Sequence, residues 1–195
     1  MGKKGDETKA FIRNTAKALF AQKGFKEVTM KDICQLTGLS RGGLYRHYDS
    51  THQIFSEIAE EMMTVQKDEF ASKIENGVPA VRILEEVLER YRVEMLDSEN
   101  SLSLAIYEYY SSIPMSDNTA LAKQYDNSQA MWSNLIQYGI DTGEFKNVDI
   151  RSIIDLLVFS YQGIRMYSKI MPIEEEIPLR IINQIKEILI LKRMV

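Results

Sequence analysis

Between Thr29 and Ser40 the chain carries two helix starts and one helix stop within twelve residues. That spacing leaves room only for two short helices joined by a tight turn. Thr29-x-x-Asp32 is a capping box with aspartate in place of the usual glutamate or glutamine. Ile33, Cys34 and Leu36 supply the apolar positions behind it, and Gly38 closes the helix. After the single residue Leu39, Ser40 is a fresh N-cap, so a third helix runs from about Arg41 to His47. That helix contains Gly42 and Gly43, each of which costs a helix interior about 1 kcal/mol relative to alanine.

The flanking sequence is helical as well. Glycine (10) and proline (4) are too sparse to punctuate a sheet, and apolar residues recur at intervals of three and four. In the first helix Ile12, Ala16, Leu19 and Phe20 share a face, and Gly24 ends it with Phe25 folding back. Ser50 or Thr51 caps a fourth helix through Ile54, Phe55, Ile58, Met62 and Val65. The chain is therefore all-α.

Two helices joined by a glycine-bearing turn make a helix-turn-helix, whose second helix enters the major groove of double-stranded DNA. That groove is about 12 Å wide, so glycines at the leading end of the helix are clearance for the backbone. Arg41 can reach a guanine edge with its fork, and Ser40 with the free N–H groups beside it suits a phosphate. Tyr45, Arg46 and His47 follow one turn later, positioned for the DNA backbone. With Thr29, Lys31 and Thr51 they make the candidate DNA-binding set Thr29, Lys31, Ser40, Arg41, Gly42, Gly43, Tyr45, Arg46, His47 and Thr51. Charge agrees: residues 1–50 hold ten Lys/Arg against five Asp/Glu, a net of +5, which leaves −9 for residues 51–195.

Residues 10–55 resemble the DNA-binding domain of the TetR family of bacterial transcriptional repressors. The likeness is carried by "AKALFAQKGF" (16–25), "VTMKDICQLTGLSRGGLYRHY" (28–48) and "IF" (54–55), in order and at the family's spacing. It implies about nine helices: a three-helix DNA-binding domain over 1–50, then a helical ligand-binding and dimerisation domain over 51–195. "GIDTGEFKNVD" (139–149) resembles the family's turn before its last two helices. One position departs from the pattern: the family usually has a phosphate-gripping lysine where this chain has Thr51, followed by His52.

In the body, helices are predicted near 51–75, 79–97, 101–113, 118–142, 148–171 and 177–193, separated by Asn76-Gly77-Val78-Pro79, Pro114, Gly143, Pro172 and Pro178. The last two are apolar around most of their circumference, which requires cover on two sides. One side faces the chain's own core. The other is predicted to face a second copy across a two-fold axis, through Leu156, Gly163, Met166, Tyr167, Ile182, Ile185 and Leu189. Such a homodimer would present two recognition helices to a palindromic operator. Tyr91, Met95, Tyr107, Tyr110, Tyr125, Met131, Trp132 and Phe159 are candidates to line an adaptable cavity for a small-molecule inducer. Glu94 and Glu108 lie near these rings in sequence; buried, they would favour a cation, and otherwise they belong to a solvated face.

Other classes find little support. His47 and His52 are the only histidines and have no partnered nucleophile, so no catalytic residues are assigned. Cys34 reads as a small hydrophobe, and His47-x-Asp49-x-x-His52 spans a junction where the rings need not converge, so no metal or cofactor is expected. One cysteine, no apolar leader and no long apolar run predict a cytoplasmic protein without a membrane segment. The reading is a ligand-responsive transcriptional regulator, most simply a repressor. A helical protein–protein adaptor, or an activator without ligand control, would share many of these features.

Overall fold

The computed structural model describes residues 3–64, 69–117 and 119–191. Among them are ten α-helices and no strand. The order is α1 (Lys3–Lys23), α2 (Met30–Thr37), α3 (Arg41–Tyr45), α4 (Thr51–Thr64), α5 (Ala71–Glu75), α6 (Ala80–Leu96), α7 (Ser103–Ser111), α8 (Thr119–Asp141), α9 (Ile150–Tyr167) and α10 (Glu176–Leu189), with a 3-10 turn at Met115–Asp117 before α8. The element predicted over 51–75 is thus two helices, α4 and α5, and α3 ends at Tyr45, two residues before the predicted His47. The predicted helical positions 65–68, 118, 192 and 193 lie outside the described residues.

The chain divides into two compact units, residues 1–65 with 99–121, and residues 66–98 with 122–195. The first therefore extends beyond α3 to take in α4 and α7. Their apolar faces complete its core: Ile12, Ala16 and Phe20 of α1, Ile33 of α2 and Leu44 of α3 pack with Ile54, Phe55 and Ile58 of α4 and Ala105 and Tyr109 of α7. Gly24 ends α1 at φ +80°, a conformation that L side chains rarely adopt, and turns Phe25 inward. There its ring lies 5.4 Å from Phe55 and 5.2 Å from Tyr109.

In the second unit Ile83, Leu84 and Val87 of α6, Trp132, Leu135 and Ile136 of α8, Ile153, Ile154 and Leu157 of α9 and Ile182, Ile185 and Leu189 of α10 form one core. The 139–149 turn organises it. A Cβ at Gly139 would overlap the Phe145 ring, so only glycine lets that ring bury itself. Pro79 offers no side-chain cap to α6. Glu144 takes that role, accepting hydrogen bonds from the N–H groups of Ala80 and Val81 at 3.0 and 3.1 Å. A carboxylate there also meets the positive end of the helix dipole.

Candidate nucleic-acid interface

The starts predicted for α2 and α3 and the stop predicted for α2 are made by the residues named for them. The Thr29 hydroxyl accepts from the N–H of Asp32 at 3.2 Å and donates to its carboxylate at 2.6 Å, while the Thr29 N–H donates to the same carboxylate oxygen at 2.9 Å. The Thr29 hydroxyl bond, then Lys23 at 3.0 Å, hold the Asp32 carboxyl well below the usual carboxylate range. Gly38 closes α2 at φ 70°, its N–H donating to the Cys34 carbonyl at 3.0 Å. Ser40 Oγ then accepts from the N–H of Gly43 at 3.1 Å, and the fully buried Leu44 anchors α3 from beneath.

This anchoring decides what faces outward. Arg41, Gly42, Tyr45 and Arg46 are exposed, and Gly43 and His47 are half-buried. The two glycines do different work. A Cβ on Gly42 would meet nothing, so its bareness concerns whatever approaches from outside. A Cβ on Gly43 would come within 3.2 Å of Ser40 Oγ, so this glycine serves the cap. The Arg41 guanidinium lies 5.6 Å from the centre of the Tyr45 ring, a cation–π contact that holds it over α3. Thr29, Met30, Lys31, Cys34, Arg41 and Tyr45 line an open cleft of about 480 Å³, which brings four of the candidate set, Thr29, Lys31, Arg41 and Tyr45, onto one surface. The Thr29 hydroxyl, however, is engaged by Asp32 in both directions. Ser50, not Thr51, caps α4: its Oγ accepts from the N–H of Gln53 at 3.2 Å. Thr51 is left as the first residue of that helix.

The distribution of ion pairs sharpens the charge argument. Lys9 and Arg13 reach Glu57 at 2.8 and 2.9 Å, Arg13 also reaches Glu61 at 2.5 Å, Lys17 reaches Glu61 at 3.4 Å, and Lys23 reaches Asp32. Among the described residues Lys26, Lys31, Arg41 and Arg46 make no ion pair. Among the described side chains of this unit, the lysines and arginines without an ion pair therefore lie on the α1–α2 loop, α2, α3 and the turn that follows. The brace between α1 and α4 escaped the sequence reading. Its signal was present in Lys9, Arg13 and Lys17 at four-residue steps, matched by Glu57 and Glu61 at the same step. Tyr48 completes it, donating to Glu57 at 2.7 Å and accepting from Arg13 at 2.9 Å. Burial, with the Glu57 bond assisting, raises its hydroxyl to about 12.

The candidate ligand residues are spread over both units. Tyr110 is buried and Tyr107 is 61% exposed in the first. In the second, Met95, Met131 and Trp132 are buried, Tyr91 and Tyr125 are half-buried, and Phe159 is 64% exposed on the outside of α9. The candidate interface divides in the same way. Leu156 and Tyr167 are exposed and Gly163 and Met166 half-buried, whereas Ile182, Ile185 and Leu189 are buried in the chain's own core. A broad apolar arc shows that two sides need cover but does not say which edge turns inward; α10 spends these three residues on α6 and α9. Glu108 neither awaits a cation nor faces solvent alone: it accepts from the backbone N–H of Lys26 at 3.0 Å.

The profile of bacterial regulatory proteins of the tetR family matches residues 12–58, and that of the tetracyclin repressor-like C-terminal domain matches residues 83–177. The HTH-type transcriptional regulator YfiR of Bacillus subtilis is 31% identical over 148 residues, covering 73% of this chain and 70% of its own. The HTH-type transcriptional repressor KstR2 of Rhodococcus jostii is 26% identical over 148 residues, covering 75% and 71%. Of solved structures, a TetR transcriptional regulator from Chloroflexus aurantiacus shares the fold with a TM-score of 0.75 at 23% identity, over 98% of this chain and 100% of its own. A Saccharomonospora viridis transcriptional regulator solved in complex with choline does so with a TM-score of 0.76 at 19% identity, over 96% and 100%. With its helix-turn-helix capped by Thr29 and Ser40 and unpaired cations on that surface, this chain belongs to the tetR family of bacterial regulatory proteins, DNA-binding regulators of transcription.

Proposed function

We propose that the chain acts in the cytoplasm as a homodimeric repressor that binds a palindromic operator and leaves it when a small molecule binds the body. DNA contact is assigned to residues 1–50, with Arg41 as the base-reading side chain and Lys31, Ser40, Tyr45 and Arg46 on the phosphates. Ligand binding and dimerisation fall to residues 51–195. The observation that carries this is the bare outward face of α3 at Gly42, set among the unit's unpaired cations.

Dimerisation is assigned to the outer face of α9 and the turn after it, where Leu156, Phe159, Tyr167 and Ile170 remain 51 to 69% exposed in a stripe centred on Gly163. A Cβ on Gly163 would meet nothing within the protomer, which leaves a second helix free to approach there. The chain crosses between its two units at residues 65–66, 98–99 and 121–122. A ligand held by the second unit can therefore act on the first through three segments. It shifts the equilibrium only by its differential affinity for the DNA-binding and released forms.

Selection of bound fragments from random double-stranded DNA by the purified full-length chain tests the reading. An enriched inverted repeat, with half-sites about one helical turn apart, is the expected result. Enrichment of a single unrepeated motif contradicts the two-fold dimer, and no enrichment contradicts sequence reading altogether.

A further inference from the structure

Among the described residues of the second unit Arg151, Arg165 and Arg180 make no ion pair, and of these only Arg165 is drawn partly into the protein. Arg165, on α9, donates from Nη1 to the Tyr161 hydroxyl at 2.8 Å, and its guanidinium lies 5.0 Å from the centre of that ring. Its Nε is buried and has no hydrogen-bond partner. The neighbouring acids are occupied. Glu94 accepts from the Tyr161 hydroxyl and pairs with Arg90 at 3.6 Å, and Arg90 in turn holds Glu69 through two bonds of 2.6 Å. Among the described residues no carboxylate pairs with Arg165. Buried arginine donors are satisfied almost without exception, so an orphan of this kind calls for a missing partner.

That partner does not come from a second subunit. At 100° per residue Arg165 stands about 200° around α9 from Gly163, opposite the exposed stripe. Lys169, one turn on, donates to the Ser98 carbonyl at 2.6 Å, which shows that this face of α9 is turned to the end of α6. Aromatic surface lies alongside: Tyr91 stacks on Tyr161 at 4.2 Å and meets Trp132 at 6.1 Å.

We infer that the effector of this protein is an organic carboxylate, its acid group seated on the Nε–Nη2 edge of Arg165 and its apolar part against the Tyr91–Tyr161 stack. This rests on the reading of the body as a ligand-binding domain. With Nη1 engaged by Tyr161, the edge left over is the side-on one, and two parallel N–H donors match the two oxygens of a carboxylate. A phosphate monoester, at about −1.5 to −2, would bring surplus charge beside Glu94.

Trp132 is the only tryptophan in the chain, so its emission reports binding at this place. Full-length protein is titrated with octanoate and phenylacetate, with their amides as neutral counterparts, and with phenyl phosphate and choline. The carboxylates are expected to shift the emission, with the amides roughly tenfold to a hundredfold weaker, the range for hydrogen bonds to a charged group. Arg165→Gln is expected to erase that preference, and Arg165→Lys, which keeps the charge without the fork, to retain part of it; thermal melting of both variants establishes that they fold.

Amides or choline binding as well as the carboxylates, unaffected by Arg165→Gln, overturns the assignment but leaves ligand control standing. Phenyl phosphate binding more tightly overturns the carboxylate in favour of a phosphate. No probe binding at millimolar concentration overturns it too, with the Nε served by water only. Ligand control itself is judged separately, by whether a small-molecule extract of the host cells releases the protein from selected DNA.

Discussion

The Glu108 carboxylate on α7 accepts a hydrogen bond from the backbone N–H of Lys26, 3.0 Å away and 82 residues earlier in the chain. Lys26 belongs to the loop that delivers α2, and the same carboxylate packs over the turn at Gly24. A helix far along the sequence thus holds the loop from which the DNA-contacting pair departs.

Glu108→Ala leaves that N–H without its acceptor and is expected to cost about 1 kcal/mol in urea unfolding. Glu108→Gln, which keeps an acceptor oxygen, should cost less than half as much. Equal losses from both would mean that the carboxylate acts by charge and not by holding the loop.

Asp32 gives the α2 start an acid-sensitive component. Its folded carboxyl ionises below the ordinary aspartate value of about 3.9, chiefly because of the Thr29 hydroxyl bond. Its stabilisation is therefore fully present above that pH and is lost as pH falls through the lower, folded value. Asp32→Asn should reduce the slope of stability against pH in the acid limb while leaving the slope near neutrality unchanged. Identical acid limbs in urea titrations of the two proteins would contradict the role assigned to the carboxylate.

Arg41→Ala is expected to weaken DNA binding by about 1–3 kcal/mol and to relax the preference at one base position, as loss of a base-reading fork does. Tyr45→Phe should weaken binding about equally on every sequence. Competition binding against a set of single-base operator variants separates the two patterns. A uniform loss for Arg41→Ala would make it a phosphate anchor.

Phe159→Asp places a charge in the exposed α9 stripe and is expected to yield folded monomers with weakened operator affinity, read by sedimentation and DNA titration. Ile185→Asp, aimed at the buried side of α10, should unfold the second unit by leaving a charge without a partner in its core. A dimer that survives Phe159→Asp would place the interface elsewhere.

The bounds of α2 and the start of α3 are legible in the sequence because caps are local. Thr29, Asp32, Gly38 and Ser40 act within four residues of themselves, so their order is readable without knowing what packs where. The parts that were not legible depend on residues far apart in the chain. Glu144 caps α6 from more than sixty residues away, Glu108 reaches Lys26, and Glu57 gathers Lys9, Arg13 and Tyr48. The α9 and α10 arcs were read as needing two-sided cover. Their periodicity did not reveal that Phe159 lies outside and Ile182, Ile185 and Leu189 inside, because arc width carries no sense of direction. Thr29 stands both in the capping box and among the candidate DNA contacts, and the folded geometry shows its hydroxyl engaged with Asp32 as donor and acceptor.

The central claim is that the α2–α3 surface reads a DNA sequence. Fluorescence anisotropy of the purified chain on the DNA upstream of its own gene and on a scrambled duplex, each at two salt concentrations, tests it most directly. The account predicts a preference for the upstream fragment that persists at the higher salt, since base contacts survive where phosphate contacts are screened. Binding to neither fragment at either salt would contradict it.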